Sequence, residues 1–175
     1  MQSFDESALL FIQAHLRNDL LTPVMKLFTA LGNGGLIWIV LGLGLLLYAG
    51  TRKKGLVYAL ALGGTAVLNN LIIKPLIARP RPYSIMEGLT VLVEKLSSSS
   101  FPSGHASSSF AAATALTLLF GRRGAWSFVP AVLITLSRPY LGMHYLTDVL
   151  CGAVLGAVCA WAVVTLVRKK TRLGD

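Results

Sequence analysis

Acidic side chains are scarce in this chain. Its 175 residues hold 7 Asp and Glu against 16 Lys and Arg, charged residues make up only 13%, and hydrophobic residues make up 54%. With a mean hydropathy of +0.68 the chain is too apolar for a soluble protein of its size, so it reads as one integral-membrane domain over residues 1–175. Cysteine is nearly missing as well. Cys151 and Cys159 are the two present, and in one helix they stand about 12 Å apart at ~1.5 Å per residue, beyond disulfide reach. A basic segment ahead of the first hydrophobic run is also lacking: Met1-Gln2-Ser3-Phe4-Asp5-Glu6 is acidic, and no removable signal peptide is expected.

What is abundant is hydrophobic sequence broken by small basic clusters. The net charge of +9 could suggest nucleic acid, but the cations sit between apolar runs rather than along one stripe, and membrane topology accounts for them better. The pattern from Phe4 to Arg17 suits an amphipathic helix lying in the membrane interface, with His15 on its polar face. Spans are then expected over Leu20–Leu31 (short, with Pro23 and Lys26), Leu36–Gly50, Gly55–Ile73, Ser103–Phe120, Ala125–Leu136 and Tyr145–Val167. The fold class is therefore all-α, a polytopic membrane bundle of about six transmembrane helices with an N-terminal interfacial helix. Ser103 or a neighbour is a plausible N-cap. Gly152 with Gly156, and Gly63 with Gly64, read as sites of close helix packing.

The positive-inside rule orients this bundle. Placing the N-terminus inside puts Arg17, Arg52, Lys53, Lys54, Arg122, Arg123, Arg168, Lys169, Lys170 and Arg172 on the cytoplasmic side. Lys74, the long Pro- and Ser-rich connection Pro75–Pro102, Ser103–His105 and Arg138–Asp148 then gather at the outer face.

Within that set, Arg138, His144 and Asp148 interrupt apolar sequence, and an ionisable group at membrane depth is a functional-site candidate with a partner. Asp148 faces into the run Val149–Val167, and His144 lies four residues before it, so one helix face can carry imidazole and carboxylate one turn apart. Such a carboxylate fixes the imidazole tautomer and raises the basicity of the other ring nitrogen. Pro139 and Gly142 suggest a short turn between a helix ending before Ser137 and one beginning near His144. Lys74 and Arg81 add cations, while Pro102-Ser103-Gly104-His105 adds a hydroxyl, a glycine permitting close backbone approach and free N–H groups at a helix start. Cations and helix-start amides suit phosphoryl oxygens, and a histidine can act as a covalent nucleophile. Asn69 and Asn70 read as interhelical hydrogen-bonding residues that could support this site.

Lys74 and Arg81-Pro82 with six residues between them, then Pro102-Ser103-Gly104-His105, then Ser137-Arg138 with five residues to His144 and three more to Asp148, closely resemble the three-part signature of the type 2 phosphatidic acid phosphatase superfamily. The resemblance implies a metal-independent phosphatase without cofactor. His144 would attack phosphorus to give a phosphohistidine, and Asp148 would orient and charge the imidazole. His105 would protonate the leaving oxygen and then activate water. Lys74, Arg81, Ser103, the Gly104 amide and Arg138 would hold the phosphate. Arg79 falls outside the pattern, with a role in orienting the loop or meeting a second phosphate. The partners implied are the bilayer and a membrane lipid phosphate, not nucleic acid. Oligomeric state is not legible.

Undecaprenyl diphosphate is the favoured substrate, with phosphatidylglycerophosphate or phosphatidic acid next. The alternatives are a lipid A 1-phosphatase, a lipid-to-lipid phosphotransferase, and a non-catalytic lipid-phosphate binder or transporter. The expected location is a bacterial inner membrane, with the site facing the periplasm and both termini cytoplasmic.

Overall fold

A computed structural model describes residues 2–171, which are helical throughout their regular structure with no strand among them. Helix α1 (Gln2–Phe11) continues through a π-helical turn, Ile12–Leu16. Helices α2 (Leu21–Gly32) and α3 (Leu36–Leu47) follow, then α4 (Arg52–Val67), which extends through a π-helical stretch, Leu68–Ile73, into α5 (Lys74–Ile77). After the short α6 (Pro82–Ile85) come α7 (Gly104–Phe120), α8 (Arg122–Ala125), α9 (Phe128–Tyr140) and α10 (Leu146–Thr171). By length and composition, Leu21–Leu47, Arg52–Ile85 and Leu146–Lys170 can each cross a membrane.

The two predicted spans Leu20–Leu31 and Leu36–Gly50 are one kinked rod. Gly34 and Gly35, both at positive φ, join the halves through a single tight turn that bends the chain without sending it back. Contacts along the rod step steadily away from the Tyr140 end. Thr22 meets the Tyr140 hydroxyl, Gly32 meets Ile134, Trp38 donates to Ser109, and Gly42 meets the Tyr58 ring.

The continuous rod, Leu21–Leu47, takes the place of two of the expected spans, and the N-terminal segment packs at the Tyr140 end. Arg17 donates to the Tyr140 carbonyl at 2.8 Å and to the Thr90 carbonyl at 2.9 Å, at the end of the bundle that carries Gly142. It does not join the basic clusters Arg52–Lys54 and Arg122–Arg123 at the other end; Arg172 lies outside the described residues. Hydrophobic patterning alone could not separate a kinked rod from two crossings, because both carry the same apolar run.

The core forms where α7 meets α10, the most extensive helix pair. Fully buried alanines of α7 (Ala111, Ala112, Ala113, Ala115) pack among Tyr58, Ile134, Ala160 and Val164. A Cβ on Gly156 would stand 2.1 Å from the Ser107 carbonyl, and one on Gly152 would stand 2.7 Å from that of Ser103. These glycines set the helix separation, as the pattern predicted. Gly63 and Gly64 do not: an added Cβ would meet nothing within 4 Å at either. Ser103 does occupy the residue before α7, but its side chain makes no capping bond.

Candidate active site

Pro139 lies inside the last turn of α9, so that helix runs through Ser137 and Arg138 to Tyr140, farther than the sequence suggested. Pro139 has no N–H to return to the preceding turn, and the helix ends one residue later. The turn 141–145 needs Gly142 at φ +77, where a Cβ would sit 2.8 Å from the Thr90 carbonyl. His144 therefore belongs to the turn, and α10 begins only at Leu146. The pairing with Asp148 survives this shift: Nδ1 lies 3.5 Å from Oδ2. Asp148 also accepts the Tyr145 N–H at 3.0 Å, reaching back over the first turn of α10 as a capping side chain does.

Both side chains are buried, His144 at 2% and Asp148 at 0% exposure. Two side chains outside the three-part signature, Ser100 and Arg79, converge on this carboxylate or its imidazole, and Asp5 backs Arg79. Ser100 donates its hydroxyl to Asp148 Oδ2 at 2.5 Å and lies 3.4 Å from His144 Nδ1. Arg79 donates to Asp148 Oδ1 at 2.7 Å, and its other nitrogen donates to Asp5 Oδ2 at 2.9 Å. Asp5 also accepts the Thr147 N–H at 3.1 Å and the Thr147 hydroxyl at 2.5 Å, joining α1 to the start of α10. No local spacing signalled these partners.

The other imidazole nitrogen, Nε2, is 3.3 Å from Arg81 Nη1. Arg81 is itself held by the carbonyls of Ser98 at 2.7 Å and Met143 at 3.0 Å. Burial is the main cause that pushes the His144 imidazole down, to about 3; the Asp148 hydrogen bond opposes it and the Arg138 and Arg81 charges reinforce it. The ring is neutral at ordinary pH, so with Asp148 beside Nδ1 the lone pair resides on Nε2.

His105, on the first turn of α7, lies across from this pair, with Nε2 3.1 Å from both the Thr29 carbonyl and Asn33 Oδ1. A Cβ on Gly32 would collide with the His105 ring at 2.6 Å, so that glycine makes room for the imidazole. Lys74 donates to the Ser99 carbonyl at 3.1 Å, and Arg138 donates to the Thr29 hydroxyl. Lys74, Arg81 and Arg138 lie within electrostatic reach of one another. Among the described residues none of the three has a carboxylate within ion-pair distance. Two buried polar atoms among them, Ser103 Oγ and Arg138 Nε, have no hydrogen-bond partner. Asn69 and Asn70 bond each other at 3.0 Å instead of bridging two helices. They lie on the π-helical stretch before Lys74, 3.8 Å from where a Gly104 Cβ would be.

One end of the bundle thus brings together all eight residues singled out from sequence. Residues 54–172 match the PAP2 superfamily model. The chain belongs to the PAP2 superfamily. It is 32% identical to an undecaprenyl-diphosphatase of Sulfolobus acidocaldarius over 123 residues, which cover 69% of this chain and 59% of that protein. It is 29% identical over 185 residues to a lipid A 4'-phosphatase of Bacteroides thetaiotaomicron, covering 98% of this chain and 80% of the relative. Among solved structures, the PAP2-type phosphatidylglycerolphosphate phosphatase of Bacillus subtilis superposes with a TM-score of 0.79 at 31% identity, over 99% of this chain and 89% of that one. These PAP2 relatives carry different lipid names, so the family gives the chemistry a direction and leaves the lipid open.

Proposed function

We propose that this PAP2 protein is an integral-membrane lipid phosphatase that works through a phosphohistidine on His144. The observation that carries the reading is the cluster of Lys74, Arg81 and Arg138 without carboxylate partners, around the unbonded Ser103 Oγ and Arg138 Nε. Buried cations that are not paired are costly, and a phosphate dianion supplies both the missing charge and the missing acceptors. On this reading the Gly104 amide, at the start of α7, joins Lys74, Arg81, Ser103 and Arg138 in holding the phosphate.

In the mechanism, phosphate oxygens take up the Arg81 guanidinium, which releases the Nε2 lone pair of neutral His144 to attack phosphorus in line with the leaving oxygen. Nδ1–H stays on the Asp148 side, and the carboxylate stabilises the charge that develops on the ring. A bound phosphate dianion favours the imidazolium of His105, which delivers its proton to the leaving oxygen and, now neutral, takes one from the water that cleaves the P–N bond. His105 borders a cavity of about 200 Å³ with Gly104, Asn70 and Ser108, which supports a leaving group on that side.

The same cavity shares Gly34, Ala66 and Ser108 with an apolar cleft of about 290 Å³ between α3 and α4. A phosphate on a hydrocarbon tail fits that continuity: head at the cations, tail along the cleft. Undecaprenyl diphosphate is our favoured substrate, because its chain is apolar from the first carbon. The described helices support a single domain of five crossings, with α1 in the interface on the side of the site. The basic clusters of the opposite end favour placing that end in the cytoplasm and the site in the periplasm of a bacterial inner membrane.

The decisive experiment is phosphate release by purified protein in detergent with EDTA, across undecaprenyl diphosphate, phosphatidylglycerophosphate, phosphatidic acid and a lipid A phosphate, beside His144→Ala. Release from one lipid, lost in the variant, is the expected result. Activity that persists in His144→Ala without a trapped phosphohistidine would remove the nucleophile from this scheme.

A further inference from the structure

The N-terminal helix buries a carboxylate that the phosphatase mechanism above does not use. Asp5 is fully buried although its neighbour Phe4 is exposed, and its carboxylate accepts from Arg79 and Thr147. Arg79 in turn spans two carboxylates, Asp5 at 2.9 Å and Asp148 at 2.7 Å, with its guanidinium 3.9 Å above the Tyr145 ring. A guanidinium presents its donors in a fixed planar fork, so anchoring one branch orients the other. The chain of contacts runs from α1 through Arg79 to Asp148, and from Asp148 to His144 within one turn of backbone.

We propose that Asp5 is a positioning residue of the phosphatase reaction, which through Arg79 fixes the Asp148 carboxylate against the His144 imidazole. The inference rests on the His144 reading above and extends the machinery to α1, outside residues 54–172 that match the family model. Two physical effects combine. Asp5 holds Arg79 in the orientation that keeps Asp148 Oδ1 occupied, leaving Oδ2 to Ser100, Tyr145 N–H and the imidazole. Asp5 also shares the Arg79 charge, so Asp148 is not fully neutralised by one cation and keeps its pull on the Nδ1 proton. The other charged or titratable groups facing this chain are Tyr145, beside Arg79, with Glu6 acting on it, Arg81, Arg138 and His105, facing His144, and Lys74, facing Asp148.

In Asp5→Asn the amide nitrogen must face either Arg79 Nη2 or the Thr147 N–H, a donor against a donor in both cases. The expected result with the full-length protein is a kcat about tenfold lower with KM unchanged, the size typical of losing a partner that orients a reacting group. Removing a negative charge near His144 also disfavours the imidazolium. The acid limb of kcat/KM therefore moves to lower pH, by roughly half a unit, less than a direct contact would give. Arg79→Lys keeps the charge but replaces the planar fork with a single rotatable ammonium, so one carboxylate no longer orients the contact to the other, and it should show the same kcat loss. The double variant should be no worse than either single one, since both break one chain.

This set separates positioning from mere support. A kcat equal to wild type in a folded Asp5→Asn protein overturns the proposal. So do losses that add in the double variant while the pH profile stays put, because that is how two independent packing defects behave. If Asp5→Asn yields no folded protein, Arg79→Lys decides alone by the same kcat and KM criteria. Wild-type protein that releases no phosphate in a His144-dependent way would strike the parent reading, and this one with it.

Discussion

Replacing Asp148 with Asn tests the core of the mechanism, because the structure dictates what an amide must do there. The carboxylate serves Ser100 at 2.5 Å, the Tyr145 N–H at 3.0 Å and Arg79 at 2.7 Å, and it stands 3.5 Å from His144 Nδ1. An amide has one oxygen for these tasks. If that oxygen faces Ser100 and His144, the NH₂ group points at the Arg79 guanidinium, donor against cation. If it faces Arg79, the NH₂ group points at Nδ1, which must then accept, and the ring proton moves to Nε2. The second orientation relieves the clash with the cation while setting the NH₂ against the Tyr145 N–H, and it leaves His144 without a lone pair toward phosphorus while opposing an N–H to Arg81, 3.3 Å away. Wrong-tautomer substitutions of this kind cost about 10⁴ in kcat in a nucleophile–base triad. Here the Nδ1–carboxylate contact is longer, so we expect about 10³ to 10⁴, or roughly 4–5.5 kcal/mol of barrier. Breaking a buried pair also destabilises by about 3–5 kcal/mol, lessened because Arg79 is 23% exposed. The assay is single-turnover phosphate release in detergent well below the melting temperature, with the melting temperature recorded for each variant. A folded Asp148→Asn protein retaining more than a tenth of wild-type kcat would refute the orienting role.

Three further outcomes are expected. Burial lowers the His144 imidazole from its ordinary 6.5 to about 3, so the neutral nucleophile persists as pH falls; the His144 limb of kcat/KM lies below about pH 5, and a limb at or above 6.5 that vanishes in Asp148→Asn would contradict it. Gly156→Ala forces a Cβ to within 2.1 Å of the Ser107 carbonyl, whereas Gly64→Ala meets nothing within 4 Å; thermal unfolding should show a loss of about 1–3 kcal/mol for the first and none beyond noise for the second. Gly63→Trp fills the cleft between α3 and α4 from open space, so turnover of a long-tailed lipid should fall about tenfold or more while a short-chain phosphate ester is hydrolysed as before; equal losses on both would detach the cleft from substrate binding.

What the sequence disclosed of this site, and what it hid, follow from how far apart the partners are in the chain. His144 and Asp148 are four residues apart, and Ser103, Gly104 and His105 are adjacent, so backbone geometry alone brings each group together. Ser100 reaches Asp148 across 48 residues, Arg79 across 69, and Arg138 reaches Thr29 across 109. Only tertiary packing makes those contacts, and serine in a run of four gives no sign of which hydroxyl will be chosen. The join between α2 and α3 was hidden for a similar reason. Gly34 and Gly35 at positive φ bend the chain without reversing it, and a glycine pair looks identical in sequence whether it bends or reverses. Once the rod is continuous, α1 must lie at the end where the site is, and its one buried acid, Asp5, meets the arginine that the motif skipped over. Arg79 is therefore explained by α1, and α1 by Arg79: a buried carboxylate at the start of the chain is tolerable because a cation waits for it, and that cation is held at the angle Asp148 requires.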